Sequence, residues 1–243
     1  MNPARAHGFL QSSLGLKIVM ALTGLILFGF VIGHMIGNLQ VYLGPEAFDA
    51  YGVFLRSLLH GTGLWIARAV MLVAVGLHIW SAWRLTLINN AARSVGYREV
   101  ERRESTYASR TMRWSGVLLL LFIVYHLLHL TFGARIVHPH FVHGAIYHNF
   151  VIGFQNPLVS GFYVLAMLAL GLHLYHGAWS FMQTLGLSHP RYNHLRHTLA
   201  TLVTVVVVAG NLSFPVAVLT GVLKEQVADS PTRNAGPAPA RSH

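Results

Sequence analysis

Five long apolar runs, separated by short polar segments, constrain this chain more than any other feature. Each has roughly the 20 residues that a helix needs to cross a bilayer. In hydrocarbon the backbone can satisfy its own hydrogen bonds only within helices or a closed barrel, and runs of this length indicate helices. The sequence therefore predicts an all-α membrane protein, a bundle of five transmembrane helices at about 17–40, 63–87, 113–133, 157–184 and 197–222.

Composition supports this class and excludes several others. Charged residues make up 10% of the chain, against about 25% in soluble domains. The absence of cysteine excludes thiolate-held iron–sulfur clusters, Cys-based zinc sites and covalent c-type haem attachment by this chain. The formal net charge of +10 is attributed to basic residues in cytoplasmic loops, as the positive-inside rule expects. No nucleic-acid partner is predicted.

The organisation along the chain is simple. Residues 1–222 are predicted to form a single transmembrane domain, and residues 223–243, rich in Pro, Ala and Ser, a disordered tail. Tyr51–His60 is predicted as a short interfacial helix. Residues 134–156 are predicted as a loop whose histidines are solvated or pH-sensitive rather than zinc ligands: His138, His140, His143 and His148.

Lysine and arginine predict the orientation in the membrane. The segment 88–112 is more basic than any other connector. With five spans, it lies on the same side of the membrane as the N-terminus and residues 185–196. The positive-inside rule therefore predicts a cytoplasmic N-terminus, and five spans then place the C-terminus outside.

Four of the five runs carry a histidine away from their ends, which is costly in a bilayer unless the imidazole has a partner. With the N-terminus inside, His34 and His126 fall on the outer half of the membrane, and His78 and His173 on the inner half. At a rise of about 1.5 Å per residue, each lies about 4–9 Å from the midplane.

This depth matching predicts that the histidines pair across the bundle in two layers. Two facing imidazoles are the axial ligands of a low-spin haem b, so the bundle is predicted to hold two haems b that conduct electrons across the membrane. An isolated intramembrane histidine is more simply a core residue bonded to a backbone carbonyl or hydroxyl, but four in two layers favour ligation. His129 and His176 lie one helical turn after His126 and His173, and their depth in the membrane does not exclude them as ligands. Alternatively, they bind haem propionates or line a quinone pocket.

Several segments resemble a known family. Ser12–Gly24 and Gly33–Leu39 resemble the first helix of the cytochrome b subunit of succinate:quinone oxidoreductases, in the single-subunit, five-helix, two-haem branch. Met112–Gly116 with Tyr125–Gly133 resembles its third helix, and Gly171–Phe181 its fourth. The resemblance covers about residues 10–220.

The resemblance implies particular ligands. The axial ligands of the family fall on His34, His78, His126 and His173. The Arg-Trp pair of the family falls on Arg113 and Trp114, which would meet an inner-haem propionate; an interfacial anchor is the alternative.

The resemblance also implies partners. A flavoprotein subunit and an iron–sulfur subunit would complete a succinate dehydrogenase, with this chain as an anchor that has no activity alone and passes electrons to a quinone, often menaquinone. The acidic residue that the family uses near its quinone has no clear match, and Glu46, Asp49 and His60 are loose candidates. Residues 88–113 would dock the iron–sulfur subunit or form a solvated loop, and the location would be the bacterial cytoplasmic membrane.

Two other functions agree with the same residues. One is another bis-histidine cytochrome b subunit, of the formate dehydrogenase or hydrogenase type. The other is a transporter that moves protons or metals through intramembrane histidines. A haem spectrum separates the transporter from the cytochromes, and the identity of the co-purifying subunits separates the two cytochromes.

Overall fold

The computed structural model describes Leu10 and residues 12–91, 107–186 and 189–225, with the backbone alone for 107–110. Most of the predicted basic segment and nearly all of the predicted tail lie outside these ranges. The described chain forms α1 (Ser13–Asn38), α2 (Pro45–Ser57), α3 (Gly63–Ala91), α4 (Tyr107–His126), α5 (Ile146–Gln155), α6 (Pro157–Thr184) and α7 (Asn193–Leu219).

Five stretches are long and apolar enough to cross a membrane: Ser13–Leu43, Gly63–Ala91, Thr111–Thr131, Pro157–Thr184 and Pro190–Leu219. No strand occurs in the described ranges. The predicted all-α, five-span architecture is therefore confirmed. Many large apolar side chains point outward on these spans, among them Leu72 and Val73 of α3, as expected for helices that face lipid.

Local chemistry explains where two of the spans begin. The Ser12 hydroxyl accepts a hydrogen bond from the backbone N–H of Gly15 at 3.0 Å and caps α1. Asn156 caps α6 by accepting from the N–H of Leu158 at 2.9 Å. Pro157 then occupies the first turn of α6, where its missing N–H costs no helical hydrogen bond.

The short helix predicted at Tyr51–His60 exists, but with different bounds. It begins at Pro45 instead of Tyr51 and ends at Ser57. The chain cannot continue as a helix beyond that point because Leu59 and His60 have φ values of 50° and 55°, in the left-handed region.

The prediction of an uninterrupted loop over 134–156 is wrong, because this segment contains α5. A carboxylate oxygen of Asp49 accepts from the backbone N–H of Tyr147 at 2.9 Å, at the start of this helix. Phe150 and Phe154 are buried against α2, α6 and α7. The helix is therefore held by tertiary contacts, and its ten residues are too few to be stable on propensity alone.

The helices that carry the intramembrane histidines form the centre of the bundle. α6 contacts α1, α4, α5 and α7, while α3 packs along α1. A cluster of aromatic side chains closes one end, where α2, α5 and the C-terminal part of α7 meet. We call this the α2/α5 end; α3 and α6 finish, and α7 begins, at the opposite end.

Candidate functional site

Two pairs of imidazole rings lie opposite each other between spanning helices. His34 of α1 lies opposite His126 of α4, with ring centres 5.8 Å apart. His78 of α3 lies opposite His173 of α6, with ring centres 6.2 Å apart. We call these the α1–α4 pair and the α3–α6 pair. They are the two combinations that the depth argument predicts.

The spacing of the rings fits one metal between each pair. A metal–imidazole bond of about 2 Å places each ring centre about 3 Å from the metal, so two trans imidazoles have centres about 6 Å apart. A haem iron takes two such axial ligands, because the porphyrin supplies the other four. No group of three or more His, Cys, Asp or Glu in the described ranges could hold a bare ion. The donor set therefore suits a haem better than a free metal.

The two pairs are stacked along the bundle axis. Thr23 on α1 contacts His78, and Ser115 on α4 contacts His173. Thr23 and His34 are about 16 Å apart along α1, at a rise of about 1.5 Å per residue. Ser115 and His126 are the same distance apart along α4. Both helices thus give the same separation between the layers.

Hydroxyl groups orient the imidazoles of the α3–α6 pair. The hydroxyl of Thr23 donates to the carbonyl of Val19 at 2.7 Å and lies 3.2 Å from Nδ1 of His78. The hydroxyl of Ser115 donates to the carbonyl of Met112 at 3.0 Å and lies 3.3 Å from Nδ1 of His173.

A hydroxyl has one proton, so each of these oxygens accepts from the ring and each Nδ1 carries the hydrogen. The Nε2 atoms of His78 and His173 then present lone pairs. Metal-bound histidines usually show this arrangement, in which the second nitrogen donates to a fixed acceptor.

A glycine follows each of these hydroxyl residues, and the one on α1, Gly24, leaves room for the ring of His78. A Cβ added at Gly24 would lie 3.3 Å from Cε1 of His78, and one at Gly116 would lie 3.8 Å from Cε1 of His173. Sequence reasoning missed the roles of Thr23 and Ser115. A signal was present, because Thr23-Gly24 and Ser115-Gly116 are hydroxyl–glycine dipeptides in two spans that carry a histidine.

Replacing Thr23 by Val should weaken cofactor binding at the α3–α6 pair. The substitution keeps the shape but removes the hydroxyl that accepts from Nδ1 of His78, and loss of such a partner typically costs about 10–100-fold in metal affinity. Haem retention during transfer to apomyoglobin measures the effect. Thr23→Ser keeps the hydroxyl and should behave as the wild type; equal retention in Thr23→Val would contradict the assigned hydrogen bond.

The α1–α4 pair has a more aromatic environment. Phe30 stacks on His34 with ring centres 5.3 Å apart, and Phe122 lies 5.6 Å from His126. The hydroxyl of Tyr163 is 3.2 Å from Nδ1 of His126. The side-chain amide of Asn38 donates to Nε2 of His34 at 3.3 Å, so a metal bound through that nitrogen would displace this contact.

His129 is turned away from His34. A wide π-helical turn, Leu127–Thr131, starts directly after His126, and such turns are frequent at functional sites. His129 is buried with its Nδ1 2.9 Å from the Tyr163 hydroxyl, and Gly153 leaves the space that its ring occupies. The structure thus brings His126, and not His129, opposite His34.

The histidines after α4 do not all lie in a solvated loop. His138 is 2% exposed, its ring centre is 4.8 Å from that of His129, and its Nδ1 donates to the His129 carbonyl at 3.0 Å. Burial lowers the pKa of His138, although the hydrogen bond to this carbonyl opposes the shift. His140 and His143 are exposed as expected, and His148 pairs with Glu225 at 2.7 Å.

The remaining predicted site residues lie apart from the imidazole pairs. Trp114 is 78% exposed and Arg113 is exposed beside it, as interfacial anchors would be, and neither contacts His78 or His173 within the described chain. The ring of His176 packs on Trp179 at 5.1 Å and does not face His78. Of the loose quinone candidates, Asp49 is used at the start of α5.

Comparison of the chain with known protein families, with curated proteins and with solved structures found no match. The class defined by the fold is a five-helix bundle that is apolar enough to span a membrane. The feature that distinguishes it within that class is the two stacked imidazole pairs contributed by α1, α3, α4 and α6.

Proposed function

We propose that this chain is the membrane-anchor cytochrome b subunit of a succinate:quinone oxidoreductase. It would pass electrons from an iron–sulfur subunit, through two bis-histidine haems b, to a quinone, most simply menaquinone. The proposal rests on the two imidazole pairs that four spanning helices contribute, with ring centres 5.8 Å apart in one pair and 6.2 Å apart in the other. Haem held by two imidazoles supplies one-electron transfer and offers no open position to oxygen.

The residues of the chain have separate tasks in this proposal. His78 and His173 hold the haem of the inner layer, and His34 and His126 that of the outer layer. Thr23 and Ser115 keep the inner imidazoles in the tautomer that leaves Nε2 free. The helical rise between the residues that mark the two layers sets them about 16 Å apart along the axis.

The choice of complex rests on the resemblance in the first, third and fourth spans. It implies a flavoprotein subunit and an iron–sulfur subunit on the cytoplasmic side, next to the basic segment 88–113. This chain has no cysteine for clusters. Succinate chemistry is therefore assigned to the partners, and the chain alone would have no dehydrogenase activity.

We expect the purified protein to show a Soret band, a reduced-minus-oxidised α band typical of haem b, and about two haems per chain, since there are two imidazole pairs and each haem takes two axial ligands. Pyridine haemochrome assay against protein concentration measures the ratio. Absence of a Soret band after expression with haem supply would instead favour a histidine-based transporter. Co-purification with a flavin-bearing subunit and succinate-dependent quinone reduction test the complex; a different catalytic partner would indicate another cytochrome b system.

A further inference from the structure

A group of buried, unpartnered nitrogen atoms lies where α6 and α7 pack together. They are Nδ1 of His176, Nε1 of Trp179, and Nε and Nη1 of Arg196, and none has a hydrogen-bond partner within the described chain. Indole and guanidinium nitrogens can only donate. Buried polar groups are almost always hydrogen-bonded in folded proteins, so several orphans in one place indicate a missing acceptor.

Two contacts set the antiparallel register of α6 and α7 and bring Arg196 close to the level of Trp179. Gly171 lies against Val208, and the ring of Trp179 lies 5.4 Å from that of His197. In this register Arg196 is level with the turn that carries Trp179. Arg196 is four residues before the buried Ala200, so it lies on the face of α7 that packs on the bundle.

The missing acceptor should be an anion. Nη2 of Arg196 donates to the side-chain oxygen of Asn193 at 2.8 Å, which leaves the charge of the guanidinium without a counter-ion. A buried charge requires such a partner. The acidic side chains that the structure describes all lie at the α2/α5 end, far from this site: Glu46, Asp49 and Glu225.

We propose that Arg196, Trp179 and His176 bind a propionate carboxylate of the haem held by His78 and His173, a proposal that rests on the proposed function. His176 and Trp179 follow His173 on α6 by about 4.5 and 9 Å along the axis, toward the opposite end from α2 and α5. Haem b carries two propionates on one edge. The guanidinium matches a carboxylate in charge, and its unpartnered Nε and Nη1 can each donate a hydrogen bond to it.

The test is a redox titration of the haem-loaded complex with Arg196→Gln. Reduction adds a negative charge to the haem, so loss of a cation beside its propionate should lower the midpoint potential. We expect about a tenfold shift of the reduction equilibrium, which is 59 mV for one electron. The shift should affect the haem that His78→Ala removes and leave the other unchanged.

Three further variants serve as controls. Arg196→Lys keeps the charge and should retain most of the wild-type potential. Trp179→Phe removes one donor without a charge and should lower the same potential by less. Arg191→Gln removes an exposed cation five residues earlier and should change neither haem. Arg196→Lys and Trp179→Phe also decide the question if Arg196→Gln does not assemble.

Unchanged potentials in Arg196→Gln and Trp179→Phe, in a protein that binds both haems, would overturn this inference and leave the proposed function intact. A second outcome would also overturn it: the Arg196→Gln variant contains less lipid phosphorus per chain, while both haem potentials are unchanged. The site would then be assigned to a phospholipid headgroup. A wild-type protein that binds no haem would refute both proposals together.

Discussion

His78→Ala and His173→Ala are each expected to remove one and the same haem, and His34→Ala and His126→Ala the other. Each haem would depend on two imidazoles that face each other across the bundle, at 6.2 Å in the α3–α6 pair and 5.8 Å in the α1–α4 pair. A single imidazole rarely holds haem b in an apolar slot built for two. Each variant should therefore contain about one haem per chain instead of two.

Redox titration of the four variants, followed at the α band, identifies which component each one lacks. His129→Gln is the control and should retain two haems, because its ring does not face a histidine of the opposite pair. His176→Gln should also retain two haems, because its ring does not face His78, but it should shift the potential of the α3–α6 haem. Loss of the same component in His78→Ala and His34→Ala would refute the pairing, and the arrangement of the two layers with it.

The two kinds of variant should also differ in electron transfer within the complex. Loss of the α3–α6 haem should stop electrons from entering this chain, because that layer lies nearer the end where the iron–sulfur partner is proposed to bind. Loss of the α1–α4 haem should still allow reduction of the first haem by succinate but stop delivery across the bilayer. Rapid-mixing spectra with succinate distinguish these outcomes.

Gly24→Leu is expected to remove the haem of the α3–α6 pair almost completely. Even a Cβ at this position would lie 3.3 Å from Cε1 of His78, which is tighter than most Cβ contacts. The rest of a leucine side chain would push the imidazole out of line with His173. It would also break the contact between Nδ1 and the Thr23 hydroxyl, which now measures 3.2 Å.

The haem-to-chain ratio and the redox titration measure this effect, with Gly76→Leu as the matched control. Gly76 lies on α3 close to His78, but a Cβ there would meet no atom within 4 Å. Gly76→Leu should therefore keep two haems per chain. Two haems with wild-type potentials in Gly24→Leu would show that the imidazole of His78 does not need this space.

Much of the fold follows from the sequence because its causes are local or depend on the solvent. Length and hydropathy define the five spans, since a helix in lipid must bury its backbone polar groups within itself. The predicted span 157–184 coincides with α6, which begins at Pro157. The sequence failed at α5, whose existence depends on contacts with distant residues such as Asp49.

The four histidines could be chosen from the sequence because a histidine in a bilayer needs a partner, and their depths could be estimated from the helical rise. Depth says nothing about rotation around the helix axis. The choice between His126 and His129 opposite His34 was therefore made by the π-turn after His126 and by the space beside Gly153 that the ring of His129 occupies.

Hydrogen bonds between helices likewise could not be predicted from the sequence, because they form only in the tertiary structure. Thr23 and His78 are on different helices, as are Ser115 and His173, and their atoms meet only once α1 packs on α3 and α4 on α6. The sequence by itself determined how many spans there are and which side chains lie deep within them. Only the packing of the helices decided which rings face each other, because that depends on distances and rotations between segments far apart in the chain.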